Sequence, residues 1–363
     1  MLQTPFYDPE KSYDENYEQG PFGELADGRA IEREGKPNQQ FLGEPVYVPF
    51  GIPAGPLVNS TYCAAAFAKG FDLCVYKTVR TREYPCHPAP NIIAVETGGD
   101  LTLEKMAAGL QAKASGYSEP LSITNSFGVP SKPVDEWQVD MEKAVQSAGN
   151  GQVLIGSFQG TKTEGGSVDD FVDDYVLAAR LVKETGAKIL EANLSCPNEG
   201  TGNLVCFDLD RVEHIATAIK NEIGDTPLLL KLAYFEQESQ LELLVQRIGD
   251  VVQGLSTINT MPSRIYKIDG TQALPGEGRL VSGVCGAGVQ WAGLEMVQRL
   301  VDLRAKFGYS FVIVGVGGVM APEDYHRYRA AGADAVMSAT GAMWRPTLAE
   351  EISQSMQTQQ GAI

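Results

Sequence analysis

The chain has 363 residues, 43% hydrophobic and 21% charged, a composition typical of a soluble globular protein with a large core. Its formal net charge of -17 disfavours binding to nucleic acid or to an anionic membrane surface. The six cysteines form no C-x-x-C pair, so we expect reduced thiols and no bound metal. Residues 1–17 do not resemble a signal peptide and no apolar run is long enough to span a membrane, so a cytoplasmic protein is expected.

The elements follow a regular order after a polar beginning. Residues 1–45 show no clear periodicity and are predicted to form an irregular N-terminal extension, on the surface or at an oligomer contact. Short apolar runs then alternate with amphipathic segments. The predicted strands are residues 46–54, 72–78, 153–158, 188–194, 228–232, 255–259, 311–316 and 335–339. The predicted helices between them include residues 168–184, 208–223, 240–252, 294–307 and 322–331.

Alternation of apolar strands with helices predicts an α/β protein with a parallel sheet covered by helices. Eight such units favour a closed (β/α)8 TIM barrel over an open doubly wound sheet, with residues 46–363 as one domain. Residues 80–151 and 261–292 are too long for simple crossovers. They are predicted to be capping loops and small strands at the C-terminal mouth, where barrel enzymes hold their sites.

The hexapeptide Asn-Leu-Ser-Cys-Pro-Asn, residues 193–198, is the strongest candidate for a site. It places two amides and a thiol at the C-terminal end of the fourth predicted strand. The amides can donate and accept hydrogen bonds, and the Cys196 thiol can transfer a proton. None of the three histidines lies beside this segment, which favours Cys196 as the base. Ser195 lacks the G-x-S-x-G context of a serine hydrolase.

Polar side chains also recur at other predicted strand ends. Each has an ordinary explanation when taken alone, because strand lysines reach to solvent and asparagines form turns. Their recurrence at one face of a barrel indicates a shared site. The residues concerned are Lys77, Asn125 in a capping segment, Lys231, Asn259 and Thr260.

Small residues after the last two predicted strands indicate a phosphate site. Gly315-Val316-Gly317-Gly318 follows the seventh strand, and Ala339-Thr340-Gly341 follows the eighth. Small residues allow backbone N–H groups to approach a phosphate, which barrels commonly bind here. The alternative is that the glycines form tight turns. Gly283 and Gly286 form a third such segment.

Together these motifs resemble the dihydroorotate dehydrogenase family, FMN-containing (β/α)8 barrels of pyrimidine biosynthesis. The resemblance covers roughly residues 45 to 350 and depends on six motifs in order: Tyr76-Lys77-Thr78, Asn125 to Pro130, Asn193 to Asn198, Leu230-Lys231-Leu232, Ile258-Asn259-Thr260 and Gly315 to Gly318. The cysteine at position 196 resembles the soluble class 1 enzymes.

The resemblance implies oxidation of dihydroorotate to orotate, with Cys196 removing the C5 proton while a hydride passes from C6 to flavin N5. It also implies catalytic roles for Lys77 and Lys231. The implied substrate-binding residues are Asn125, Phe127, Gly128, Val129, Asn193, Asn198, Asn259 and Thr260. The implied FMN-binding residues are Ala54, Gly55, Lys77, Thr78, Lys231, Gly286, Gly317, Gly318, Ala339 and Thr340.

Three departures from the class 1 pattern leave alternatives open. The first-strand segment reads Ile52-Pro53-Ala54-Gly55-Pro56, Gln290 stands where fumarate-using relatives carry lysine, and the N-terminal extension has no counterpart. The electron acceptor is therefore left open between fumarate, NAD through a partner chain, and others. The alternatives are a dihydrouracil or uracil oxidoreductase and a non-catalytic flavin-binding barrel subunit. The partners expected are a small dihydropyrimidine and, by resemblance, a second copy in a homodimer.

Overall fold

The computed structural model describes residues 2–33, 35–195 and 204–360. Eight parallel strands form a closed barrel in which chain order is also spatial order, which confirms the predicted (β/α)8 fold. We number the barrel strands first to eighth along the chain. They are Phe50–Ile52, Leu73–Val79, Val153–Phe158, Ile189–Asn193, Leu228–Leu232, Gly254–Thr257, Val312–Val316 and Ala335–Met337.

Prediction and structure differ most at the first strand. Residues 46–54 are predicted as one strand, but only Phe50–Ile52 belongs to the barrel. Residue Val46 instead ends a strand, Glu44–Val46, that pairs antiparallel with Gln39–Phe41. The apolar run therefore contributes residues to two sheets. Periodicity alone does not show where one strand ends and the next begins.

Helices cover the barrel and have recognisable local causes. Val168–Glu184 has the predicted bounds and begins at a capping box between Ser167 and Asp170. Pro322 occupies the first turn of its helix, where a missing N–H costs nothing. The α-helices are Tyr13–Gln19, Ser60–Ala68, Leu103–Ala108, Val134–Gln146, Val168–Glu184, Leu209–Ile223, Glu238–Ile248, Gln290–Phe307, Pro322–Ala330, Thr340–Trp344 and Leu348–Gln360.

A second sheet caps the C-terminal mouth of the barrel. Its five strands, in spatial order, are Ile92–Ala94, Ser122–Asn125, Val281–Gly286, Met261–Tyr266 and Leu110–Gln111. All five come from the two long segments predicted to cap the barrel, residues 80–151 and 261–292. The first segment also contains the crossover helix Val134–Gln146, which was not predicted. Pairing between the segments sets Asn125 opposite Gly283 above the barrel.

The N-terminal segment packs against the barrel. Phe6 and Tyr7 are buried, and the backbone N–H of Phe6 donates to the Met343 carbonyl at 3.0 Å. The helix Tyr13–Gln19 begins at a capping box on Ser12. The proposed domain boundary at residue 45 stays a prediction. Among the described residues, no helix has both the length and the apolar character that spanning a membrane requires.

Candidate active site

A cavity of about 600 Å³ lies between the barrel mouth and the cap. Side chains from several strand ends and from the cap line it, as expected for a barrel enzyme. Its lining includes twelve of the predicted residues: Ala54, Gly55, Lys77, Thr78, Asn125, Phe127, Gly128, Val129, Asn193, Lys231, Asn259 and Thr260. A smaller cavity of about 120 Å³ shares part of this wall and adds Ala339 and Thr340.

Three predicted glycines line neither cavity: Gly286, Gly317 and Gly318. Close packing accounts for two of them, because a Cβ at Gly286 would overlap the Leu121 carbonyl and one at Gly318 would overlap Gln290. Their role toward a phosphate stays a prediction. The predicted base Cys196 and the amide Asn198 lie outside the described residues.

Lys77 lies near the C-terminal end of the second strand and is almost fully buried. Its ammonium donates to the Thr78 carbonyl at 3.2 Å and to the Pro130 carbonyl at 3.5 Å. These bonds connect the barrel to the capping segment that contains Phe127, Gly128 and Val129. A cation is therefore held where that segment meets the cavity.

The capping segment has a strained backbone. Val129 has a φ of +53°, a conformation that β-branched residues rarely adopt. The buried Arg80 guanidinium holds it, because Nε donates to the Val129 carbonyl at 2.9 Å and Nη2 to the Gly128 carbonyl at 3.2 Å. Sequence reasoning missed Arg80, which follows the second strand and resembles any other exposed arginine in a loop.

Ser195 links two of the predicted amides. Its hydroxyl donates to Asn193 Oδ1 at 3.1 Å and accepts from Asn259 Nδ2 at 2.9 Å. The remaining amide, Asn125, donates to the Cys285 sulfur at 3.4 Å. Ser195 therefore orients hydrogen-bonding groups, a role that sequence reasoning missed when it rejected a hydrolase.

Lys231 and Glu191 form the charged centre of the barrel mouth. Lys231 is buried, and its ammonium donates to the Ser256 hydroxyl at 3.3 Å. Burial lowers the pKa of Lys231, and the Glu191 carboxylate opposes that shift. Burial raises the pKa of Glu191, while Lys231 and the nearby hydroxyls of Ser256 and Ser157 oppose the shift. Sequence reasoning missed Glu191, although an acid within the apolar run Ile189–Asn193 was a usable signal.

Two described cysteines near the site are poor bases. Burial raises the pKa of Cys206 to about 12, and this residue lines neither cavity. Cys285 lines the smaller cavity, but burial raises the pKa of its thiol too. Tyr7 of the N-terminal segment also lines that cavity, and its ring packs edge-to-face on Phe127 at 5.7 Å between centroids. Tyr7 lies in a segment without periodicity, so nothing in the sequence marked it.

The cavity walls suit a planar, anionic ring cofactor. Ala54 and Gly55 line both cavities, Gly55 has a φ of +132°, and no atom lies within 4 Å of where its Cβ would be. These small residues thus leave open space beside the backbone at this wall. The Lys231 ammonium and the Asn193 amide supply polar groups from the strand ends. These residues fit a flavin ring.

The chain is similar in sequence to proteins of one family. The sequence pattern of the family described as dihydroorotate dehydrogenase matches residues 38–359. The chain is 35% identical over 360 residues to the dihydroorotate dehydrogenase of Dictyostelium discoideum, covering 96% of each protein. It is 27% identical over 321 residues to a quinone-type dihydroorotate dehydrogenase of Methylibium petroleiphilum, covering 84% of this chain and 82% of that protein.

A shorter sequence match and a solved structure were also found. The catalytic subunit of the NAD(+)-type dihydroorotate dehydrogenase B of Methanocaldococcus jannaschii is 28% identical over 224 residues, covering 61% of this chain and 67% of that protein. A crystal structure of Eimeria tenella DHODH in complex with ferulenol superposes with a TM-score of 0.71 at 19% identity, covering 92% of this chain and 88% of that one. At that identity the superposition supports the barrel fold alone.

Proposed function

The chain belongs to the dihydroorotate dehydrogenase family, and from that membership we propose that it uses FMN to oxidise dihydroorotate to orotate in pyrimidine biosynthesis. Members of this family are flavin-dependent oxidoreductases that act on small molecules, and the chain is an enzyme of that kind. One observation carries the proposal: two buried lysines and three asparagine amides line a single cavity against the small residues Ala54 and Gly55.

The substrate is bound by charge and by paired amides. Dihydroorotate carries a carboxylate, and Lys77 supplies a buried cation for it beside the capping segment. The pyrimidine edges present donors and acceptors together, which suits Asn125, Asn193 and Asn259. Ser195 fixes the orientation of the last two. Thr260 and the backbone of residues 127–129 complete the wall.

Cys196 is the proposed base for the C5 proton. It directly follows Ser195, whose hydroxyl contacts the site amides. The thiols of Cys206 and Cys285 are disfavoured because burial raises the pKa of each.

When bound, FMN supplies the acceptor for the hydride that leaves C6. Ala54, Gly55 and Thr78 would hold the ring, and Lys231 would place positive charge at its pyrimidine end. Ala339 and Thr340, with Gly286, Gly317 and Gly318, are proposed for the phosphate end. We propose a cytoplasmic homodimer by resemblance to the soluble class.

Anaerobic mixing of the purified protein with dihydroorotate and, separately, dihydrouracil tests the proposal. The yellow flavin absorbance should bleach with dihydroorotate and far more slowly with dihydrouracil. Bleaching by dihydrouracil alone would assign the related dihydropyrimidine activity. A colourless protein would support a non-catalytic barrel.

A further inference from the structure

Glu191 is an acid buried in the barrel, and its polar neighbours other than Lys231 are neutral hydroxyls. Its side chain is 0% exposed, and the hydroxyls of Ser157 and Ser256 lie beside its carboxylate. It nevertheless contributes to the wall of the larger cavity. A buried carboxylate is costly unless a nearby opposite charge compensates it. The proposed reaction gives this residue no role.

Strand register brings Glu191 next to Lys231. Residues two apart on a strand face the same side, so Glu191 faces the barrel interior with Asn193. Asn193 is in register with Lys231 on the fifth strand, and Lys231 is in register with Ser256 on the sixth. Glu191 therefore lies on the strand next to Lys231, two residues before the register partner of that lysine, and faces the same side. Its partner on the other side is Ser157, which carries no charge.

The other charged groups at the cavity do not favour a protonated Lys231. Among described residues, the charged side chains lining the cavity besides Glu191 and Lys231 are the cations Lys77 and Arg264. Ser256, which accepts from the ammonium, is neutral. Burial lowers the pKa of Lys231, and Glu191 is the group that raises it again. The acid is thus the local source of compensating charge.

Resting on the proposed flavin site, we propose that Glu191 is a positioning residue that keeps Lys231 in its ammonium form at the pyrimidine end of the flavin. The acid need not touch the flavin or the substrate to do this. Without it, burial would lower the pKa of Lys231 with no opposing carboxylate, and the lysine would lose its proton at a lower pH than in wild type. The positive charge that stabilises the reduced ring would then disappear as the pH rises.

The test is the midpoint potential of the bound flavin in Glu191→Gln, a neutral variant of the same shape, compared with wild type. At about pH 6 the midpoint potential of the variant should be at or above that of wild type, and at about pH 9 it should be below, because without Glu191 the lysine loses its proton at a lower pH than in wild type. The expected loss is at least about tenfold in the ratio of reduced to oxidised flavin, or about 30 mV for a two-electron couple.

Matched variants separate this effect from a packing effect. Glu191→Asp keeps the charge and should keep the wild-type pH profile. In a Lys231→Met background, Glu191→Gln should add no pH dependence. If Glu191→Gln loses its flavin, Glu191→Asp must restore both flavin and profile, and failure to do so overturns the proposal.

Two negative results have different meanings. A wild-type protein that binds no flavin contradicts the proposed function before any variant is made. A flavin-loaded Glu191→Gln whose potential follows wild type across the pH range contradicts the role of Glu191 alone.

Discussion

The two buried lysines of the site, on the second and fifth barrel strands, are held in different ways. Lys77 donates to the backbone carbonyls of Thr78 and Pro130, whose dipoles do not titrate. Lys231 donates to the Ser256 hydroxyl and depends on the Glu191 carboxylate for compensating charge. The comparison indicates that backbone carbonyls orient Lys77 beside the capping segment, whereas the charge of Lys231 depends on a neighbouring carboxylate.

Replacement of Cys196 should have the largest effect on the rate of flavin reduction. Cys196→Ala should retain FMN but reduce dihydroorotate-driven flavin reduction by about 10³-fold, the range of a lost general base. Anaerobic stopped-flow absorbance measures it, with flavin content as the control. A rate near that of wild type would exclude Cys196 as the base.

Lys77→Ala tests the substrate role of the second-strand lysine. Flavin reduction by dihydroorotate should fall by about 10²-fold or more, the cost of an unpaired carboxylate, while dihydrouracil loses less than about tenfold. Dihydrouracil has no carboxylate, so it serves as the internal control. Equal losses for both compounds would contradict the carboxylate assignment.

Lys231→Met should slow flavin reduction by both substrates, in contrast to the selective loss expected for Lys77→Ala. Both substrates should reduce the flavin about 10²-fold more slowly, because the change affects the reduced ring and not the substrate carboxylate. The ratio of the two rates, measured at saturating substrate, is the quantity to compare with that of Lys77→Ala. A selective loss with dihydroorotate would remove the distinction between the two lysines.

Ser195→Ala should have the smallest effect. It removes one hydroxyl between Asn193 and Asn259, worth about 1 kcal/mol or roughly fivefold in KM for dihydroorotate. The kcat value should stay within about twofold, since the amides themselves remain. A loss of kcat as large as that of Cys196→Ala would mean that the serine takes part in proton transfer.

The sequence predicted the parts of the molecule that depend on local pattern. The strands Val153–Phe158 and Leu228–Leu232 have the predicted bounds, because both are short continuous apolar runs. The convergence of Lys77, Asn193 and Lys231 followed from barrel topology once eight units were counted.

The rest depended on contacts between distant segments. The place of Glu191 in the site becomes visible only from the strand register, which pairs it with Ser157 and brings it near Lys231. Arg80 and Tyr7 reach the site only through the fold of the capping and N-terminal segments. Sequence spacing carries no signal for such contacts.

Titration of orotate into the oxidised protein tests most directly whether this cavity is a flavin–pyrimidine site. Product binding beside the ring should produce a saturable change in the visible flavin spectrum. Lys77→Ala should keep its flavin but bind orotate about 10²-fold more weakly. A flavin spectrum that does not respond to orotate, or equal affinity in Lys77→Ala, would contradict this assignment.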